Sequence, residues 1–530
     1  MATESDHPSR GLAVAGSWWL LTMVVLGVYL VSPVRDATDA DPAFAPLSAH
    51  SLVHHGDLTL DRFGARRLIG HPVVVSDGSL DAGFVVSGVG STGWEQLSAA
   101  VADPDVDVVD YFPWTGAVLA VPAVLVADGW AALTGTADSG ELLAGGGFAW
   151  LHAASASLVV LGAVLAVRAT AIAALTGPMG RRRVLSNATA LVVALGTSAY
   201  STASRALWQH TPSLLLLTLA LWCAVRIDRN VTGPGPVDPT GSDPEPTPEP
   251  RDPVRLQGWT VGLAAASAAA AVARPTNLAF AVLIVAWVLY RYRHRFLATA
   301  VSAVVGGSAV VCAFVGLSLL LVGRVVPQYY SAGRLQLGGW FAEAVAANWV
   351  SPSRGLLWAS PIVVMSVAGT VVALRSAGRG EPVVPGRGLV VALWASVVAV
   401  TVSVSAFPQW WAGHAFGPRF MTEVVPALVV LALPAVDRLA GGAAADRDAR
   451  HPGRRTAAVV AVCALALWSV AFHAVGSVAG ASGCWNAYPI DVDSDPARVW
   501  SLPDAQVLEP VHRVLDPQRR AAQDAVCVGR

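Results

Sequence analysis

The sequence predicts an all-α polytopic membrane protein with about eleven transmembrane helices and a large first extracytoplasmic loop. Three observations predict it. Apolar stretches near the length of a bilayer span recur along the 530 residues. Only 13% of the residues are charged while 54% are hydrophobic, and mean hydropathy is +0.55. The density of arginine alternates from one connecting loop to the next. A soluble domain is about a quarter charged, so lipid must replace water over much of this surface. A helix needs about 20 apolar residues to cross a hydrocarbon core of about 30 Å.

The arginines set the threading, because short arginine-rich loops stay in the cytoplasm. The dense clusters are Arg181-Arg182-Arg183, Arg291/Arg293/Arg295, Arg375/Arg379/Arg387 and Arg447/Arg450/Arg454/Arg455. Keeping all four inside gives spans near 12–32, 146–170, 185–203, 212–227, 258–273, 276–290, 297–322, 355–374, 388–407, 420–439 and 457–478. This path puts the N-terminus inside and the C-terminus outside a multi-pass cell-membrane protein. The apolar segment 115–133 would reverse the next cluster if it crossed, so it is expected to lie against the outer interface. The first span reads as a retained helix. Its apolar run from Gly11 to Val31 exceeds the 7–15 residues of a signal core.

The resulting layout is 1–32 N-terminus and first helix, 33–145 extracytoplasmic loop with interfacial helices, and 146–227 helices two to four. A disordered cytoplasmic linker follows at 228–257, then helices five to eleven at 258–478 and an extracytoplasmic tail at 479–530. Segment 32–114 holds 12 acidic residues against four arginines and suits amphipathic helices or a small folded lid. The linker is rich in proline, glycine and acid, a composition that cannot bury a core.

All 35 basic residues are arginine. Without lysine there is no Walker-A phosphate loop and no Schiff-base lysine, and with the alanine and valine bias this points to a high-GC bacterium such as an actinobacterium. The arginines form no nucleic-acid patch. Cys223, Cys312 and Cys463 sit inside apolar spans and are expected in the core. Cys484 and Cys527 both fall in the tail; outside the cytoplasm they could pair, the alternative being two free thiols. No cofactor is predicted, although Asp36, Asp39 and Asp41 together could bind a divalent ion through oxygens.

The segment Arg35-Asp36-Ala37-Thr38-Asp39-Ala40-Asp41 directly follows the first span. Carboxylates there can deprotonate an acceptor hydroxyl; as a plain solvated loop they would do nothing more. Arg274 and Arg419 are costly at a membrane boundary unless paired with an anion, and a guanidinium fork matches phosphate. Glu423, four residues after Arg419, is the simple alternative partner. Arg205, Trp208 and His210 share a short outer loop whose aromatic and polar groups suit a sugar ring, although tryptophan is also the usual interfacial anchor. His414 is weighed in the same way.

Several of these segments together resemble GT-C-type polytopic glycosyltransferases, in the manner of the protein-O-mannosyltransferase and lipid-A aminoarabinose transferase families. The carriers are Asp36 after the first span, Gly56-Asp57-Leu58-Thr59-Leu60-Asp61, and Tyr111-Phe112-Pro113-Trp114. Ala273-Arg274-Pro275-Thr276, Ser351-Pro352-Ser353-Arg354-Gly355, Gly413-His414-Ala415-Phe416-Gly417-Pro418-Arg419 and Trp485-Asn486-Ala487-Tyr488-Pro489 complete the set. The sequence departs from the family pattern at Ala37, where a second acid is often found, and in having one proline in the closing motif.

The resemblance implies a sugar donor carried on a polyprenyl phosphate and an envelope glycan, lipid or protein as acceptor, with membrane lipids around both. Carried over by position, it implies Asp36 as the base, with Asp39 second, and Arg274 and Arg419 on the departing phosphate. The competing classes are a lipid-linked-sugar flippase or transporter and a non-catalytic envelope scaffold. A transporter would concentrate charge at mid-bilayer in broken helices, and here only the Arg274-Pro275 break has that character.

Overall fold

The computed structural model describes residues 17–34, 42–64, 68, 72–76, 83–87, 91–103, 105–135, 138–144, 149–230, 252–330, 335–441 and 452–527. It is a helical bundle in which the spans read from the sequence, some of them only in part, as at 185–203 and 355–374, overlap helices. These are α1 (Trp18–Val31), α6 (Ala149–Ala174), α7 (Met179–Leu195), α8 (His210–Arg229), α9 (Pro253–Ala273), α10 (Leu278–Arg291) and α11 (Phe296–Val322), followed by α13 (Met365–Ala377), α14 (Arg387–Ser405), α15 (Val425–Leu439) and α16 (Pro452–Val478). Among the described residues eight helices are long and apolar enough to cross a membrane by themselves. One of the eight is α4 (Thr115–Thr134), which the arginine threading keeps out of the crossing path.

Perimeter helices show what surrounds the bundle. Along α11, Val301, Val304, Val305 and Leu320 are exposed, as are Val460 and Leu467 of α16. Apolar surface on this scale, on helices of bilayer length, suits contact with lipid. Cys312 and Cys463 are exposed on these same two helices, and only Cys223 is buried. The expectation of three core cysteines therefore fails for two. Inside, Phe280, Ile284, Leu393, Leu428 and Leu431 form part of one continuous core. A Cβ at Gly306 would come within 2.2 Å of the Val261 carbonyl, so the absent side chain is what lets α9 and α11 pack backbone to backbone.

One end of the bundle collects the arginine-rich loops. There Arg181 pairs with Asp437 at 2.9 Å, Tyr292 donates to the Ile227 carbonyl at 3.2 Å, and the Gly386 amide donates to Asp228 at 2.6 Å. Helix α9 begins earlier than the linker boundary implied, because Asp252 accepts from the Arg255 amide at 3.1 Å and Pro253 occupies the first turn, where no N–H is needed.

The opposite end carries the first loop and the tail. The all-α class holds for the bundle, and the loop adds a small three-stranded antiparallel sheet. Its strands are β1 (Pro72–Ser76), β2 (Gly83–Ser87) and β3 (Asp107–Asp110), in the order β2-β1-β3. β-Branched Val73, Val75 and Val108 enter a small core with Leu47, Leu60 and Leu97, as such residues favour on a half-buried pleated surface. Helices α2 (Ala45–His55) and α3 (Ser91–Ala102) flank it. The Gly-Asp-Leu-x-Leu-Asp motif serves this local fold: Asp57 accepts from the Thr59 amide at 3.1 Å and Asp61 from the Val108 amide at 3.2 Å.

Helix α4 packs on α2, with His54 Nε2 3.0 Å from Asp128, and Ala123 and Ala127 cluster with Leu151 in the first turn of α6. In the tail, α17 (Glu509–Leu515) and α18 (Pro517–Cys527) follow a short helix ending at Cys484. Cys484 and Cys527 are bonded, with Cα atoms 6.0 Å apart.

Candidate active site

The site begins at the break between α9 and α10. Pro275 cannot continue the helix and forces its predecessor into extended geometry, and Arg274 sits at φ −154°. Asn277 stabilises the break by donating to the Ala270 carbonyl at 3.1 Å and to Ser213 Oγ at 3.0 Å. The extended residue turns Arg274 into the bundle, where its Nη1 lies 2.9 Å from Glu423 Oε2. Both side chains are essentially out of solvent, at 4% and 0% exposure.

Glu423 belongs to the tight turn Arg419–Val424 that precedes α15. Its Oε1 lies 2.7 Å from His210 Nδ1, at the first residue of α8. Arg419 Nε donates to the other imidazole nitrogen at 3.2 Å. Only an unprotonated Nε2 can accept; Arg274 Nη1 also lies 3.3 Å from Nδ1, but the closer Glu423 carboxylate favours a neutral imidazole with its proton on Nδ1. Arg419 also lies over the indole of Trp208, 4.0 Å from the ring centroid, a cation–π contact. The turn is held from behind, with Thr422 donating to the Arg419 carbonyl at 2.6 Å and meeting Ser198 Oγ at 2.8 Å. Ser198 starts the π-helical turn Ala199–Ala203, an irregularity that recurs at functional sites.

Four residues singled out from the sequence (Arg274, Arg419, His210 and Trp208) therefore meet at one place, at the end of the bundle away from the arginine-rich loops. Glu423 joins them, as partner to Arg274 and His210 rather than simply as a helical neighbour of Arg419. One face of the Trp208 indole lies against Arg419.

Arg205 stands apart. It is fully buried and donates to the Tyr29 carbonyl at 3.0 Å and the Ser32 carbonyl at 3.5 Å. It thus caps the C-terminal end of α1, where unpaired carbonyls and the helix dipole favour a cation. His414 is half-exposed and turns to Asp491 at 3.0 Å and Asp493 at 4.0 Å. Asp36 and Asp39 lie outside the described residues, as do Arg35 and Asp41.

Sequence reasoning gave Arg354 no role, although it falls within a quoted motif. It is buried, and its guanidinium donates to the Trp411 carbonyl at 2.8 Å, the Gly413 carbonyl at 3.2 Å and Asn486 Oδ1 at 2.8 Å. It also bonds Gln506 and lies over the Trp485 ring at 5.4 Å. Three of the motifs thus meet at one side chain. Between the two carbonyls it holds, Ala412 has φ +67°, a strained conformation for a residue with a Cβ. Arg354 ties this turn, five residues before Pro418-Arg419, to the tail.

The first loop closes over the same end. Trp114 donates to Ser318 Oγ at 3.1 Å and stacks on Phe314 at 5.4 Å. Tyr111 and Phe112 meet Tyr329 edge-on or tilted at 5.7 and 5.8 Å, and Tyr329 hydrogen-bonds Arg274. Among the described residues, two groups could hold a metal ion, His414/Asp491/Asp493 and Asp504/Glu509/His512, each with ligand atoms within 4.8 Å of one another. His414 is 77 residues from Asp491 and gives no ligand-spacing signal, whereas Asp504, Glu509 and His512 fall within nine positions and went unremarked in the sequence.

No protein-family model and no curated protein matches the chain. Among solved structures it is similar to that of ArnT from Cupriavidus metallidurans bound to undecaprenyl phosphate. The two are 14% identical, the match covers 91% of this chain and 80% of that one, and the TM-score is 0.42.

Proposed function

We propose that this chain is an integral membrane glycosyltransferase of the GT-C type, moving a sugar from a polyprenyl-phosphate-linked donor to a cell-envelope acceptor on the extracytoplasmic face. The observation that carries the reading is the meeting of Arg274 and Arg419 on His210 and Glu423, beneath the segment that closes the first loop. Two guanidiniums fixed in a site away from bulk water suit an anionic leaving group, because interactions with developing charge strengthen where water is excluded. Apolar helices on all sides suit a polyprenyl chain.

In the transfer, an acceptor hydroxyl oxygen attacks the anomeric carbon. The bond from that carbon to the phosphate oxygen breaks, and its electron pair leaves with the polyprenyl phosphate. The hydroxyl proton passes to a carboxylate, for which Asp36 and Asp39 remain the candidates by resemblance. Arg274 and Arg419 steady the charge growing on the phosphate. Trp208 and His210 act by holding Arg419 in place.

The test is whether purified protein, supplied with envelope extract as acceptor, consumes a polyprenyl-phosphate-linked sugar. Wild type should release free polyprenyl phosphate, and Arg419→Ala should slow release by about 10²–10³-fold, the usual cost of removing one preorganised donor. Movement of the intact donor across vesicles without release would favour transport, and neither activity would favour a scaffold.

A further inference from the structure

The arginine-rich end of the bundle crowds cations together. Helix α7 opens Met179-Gly180-Arg181-Arg182-Arg183, with no acid in its first turn and no side-chain cap. Cations there oppose the helix dipole, whose N-terminal end favours an anion. Arg181 is answered within the fold: it meets one Asp437 oxygen at 2.9 Å, while Thr176 donates to the other at 2.6 Å. Arg182 and Arg229 instead cap one helix end, donating to the consecutive Ile172 and Ala173 carbonyls in the last turn of α6. Their guanidiniums therefore stand side by side.

Arg226 lies one turn before Arg229 on α8, on the same face, and both charges act on Arg182. Arg183 and Arg226 are exposed and Arg182 is partly so. Among the described residues the acid that acts on Arg182 is Asp437, which Arg181 and Thr176 already hold. Like charges crowded in this way repel, and an anion from outside the fold relieves the cost. Position says which anion. Helices α6 and α8 are long and apolar enough to cross a bilayer, so arginines at their ends stand at headgroup level. One turn inward, Trp222 meets Trp259 of α9 edge to face at 4.8 Å, and Arg226 lies over the Trp259 ring at 5.1 Å. Indoles at this depth suit the boundary between headgroup and acyl chain.

We infer that the ends of α6, α7 and α8 bind the headgroup phosphate of an anionic phospholipid, held by Arg182, Arg183 and Arg226 beside the Trp222–Trp259 pair. A guanidinium fork matches phosphate oxygens, and basic pockets between membrane helices recognise such headgroups. A phosphate with no ammonium in the same headgroup offsets the crowded charge, which a zwitterionic headgroup does not. The site is at the opposite end of the bundle from Arg274 and Arg419 and is independent of the transferase reading.

The experiment is native mass spectrometry of the full chain in a non-ionic detergent, titrated with tetraoleoyl cardiolipin or with dioleoylphosphatidylcholine. Wild type should retain one cardiolipin at concentrations where phosphatidylcholine leaves no adduct. Arg183→Gln with Arg226→Gln, both exposed side chains, should weaken that retention about tenfold, with unchanged thermal unfolding in the absence of lipid as the folding control. Cardiolipin should also raise the unfolding temperature of wild type more than that of the double variant. Arg375→Gln, Arg379→Gln and Arg387→Gln together remove three exposed arginines from the same end and should leave retention unchanged. Equal retention of the two lipids by wild type, retention unchanged by the double variant, or an equal loss in the Arg375/Arg379/Arg387 variant overturns the inference.

Discussion

Arg274 and Glu423, 149 positions apart in the chain, form a 2.9 Å ion pair at the break between α9 and α10 with almost no solvent contact on either side chain. A buried pair of this kind is weak evidence of stability, because desolvation offsets the attraction, but removing one partner strands the other charge. Glu423→Ala should therefore destabilise the protein by about 3–5 kcal/mol, read as a fall in unfolding temperature in detergent. Glu423→Gln, which can still accept from His210, should cost less. An unchanged unfolding temperature in both would mean that the pair is not intact in the folded protein.

Arg354 joins the turn around Ala412 to the tail through three carbonyl or amide oxygens within 3.2 Å and a further bond to Gln506. Arg354→Met would leave those buried acceptors unpaired, at about 1–3 kcal/mol each. The expected outcome is faster proteolysis within the tail at native temperature. Arg354→Lys should not restore protection, because an ammonium cannot reproduce the planar fork. A cleavage pattern like that of wild type would contradict the assignment.

The Cys484–Cys527 bond closes a separation of 43 residues, which in the chain-entropy account stabilises the tail by about 4 kcal/mol. Alkylation in denaturant without reductant should label Cys223, Cys312 and Cys463 alone. Five labels would show that the tail matures reduced, and so would argue against its extracytoplasmic placement.

His50, in α2 of the first loop, has its pKa lowered, first by burial and then by His54. Its folded form therefore binds protons less readily than the unfolded chain. Linkage gives the sign: the stabilising contribution is fully present above the unfolded value of about 6.5 and is lost as pH falls through the lowered folded value. Hydrogen exchange in α2 and β1–β3 should accelerate as pH drops below about 6.5, after correction for intrinsic rates. His50→Gln should remove part of that dependence. A pH-independent opening free energy in wild type would contradict it.

Much of the bundle was legible because many spans carry their own signal, an apolar run near bilayer length flanked by arginine or proline, although α1, α10 and α13 are shorter. The sheet in the first loop was not, because strands such as Val73-Val74-Val75 and Val108-Val109 are too short to separate from helical turns by period. Arg274, Arg419, His210 and Trp208 were legible one at a time, since each is expensive or unusual at a membrane boundary. Their meeting was not, because it depends on how α8, the α9–α10 break and the turn before α15 pack. Arg205 looked the same in sequence, yet packing sends it to the end of α1.

The most direct test of the central claim, that the arginine cluster holds a carrier phosphate, is phosphorus NMR of undecaprenyl phosphate in nanodiscs containing the protein. The account predicts a shifted, broadened phosphate resonance with wild type that returns to its free position with the Arg274→Ala, Arg419→Ala double variant. A resonance identical with and without wild-type protein, or equally shifted by the double variant, would contradict it.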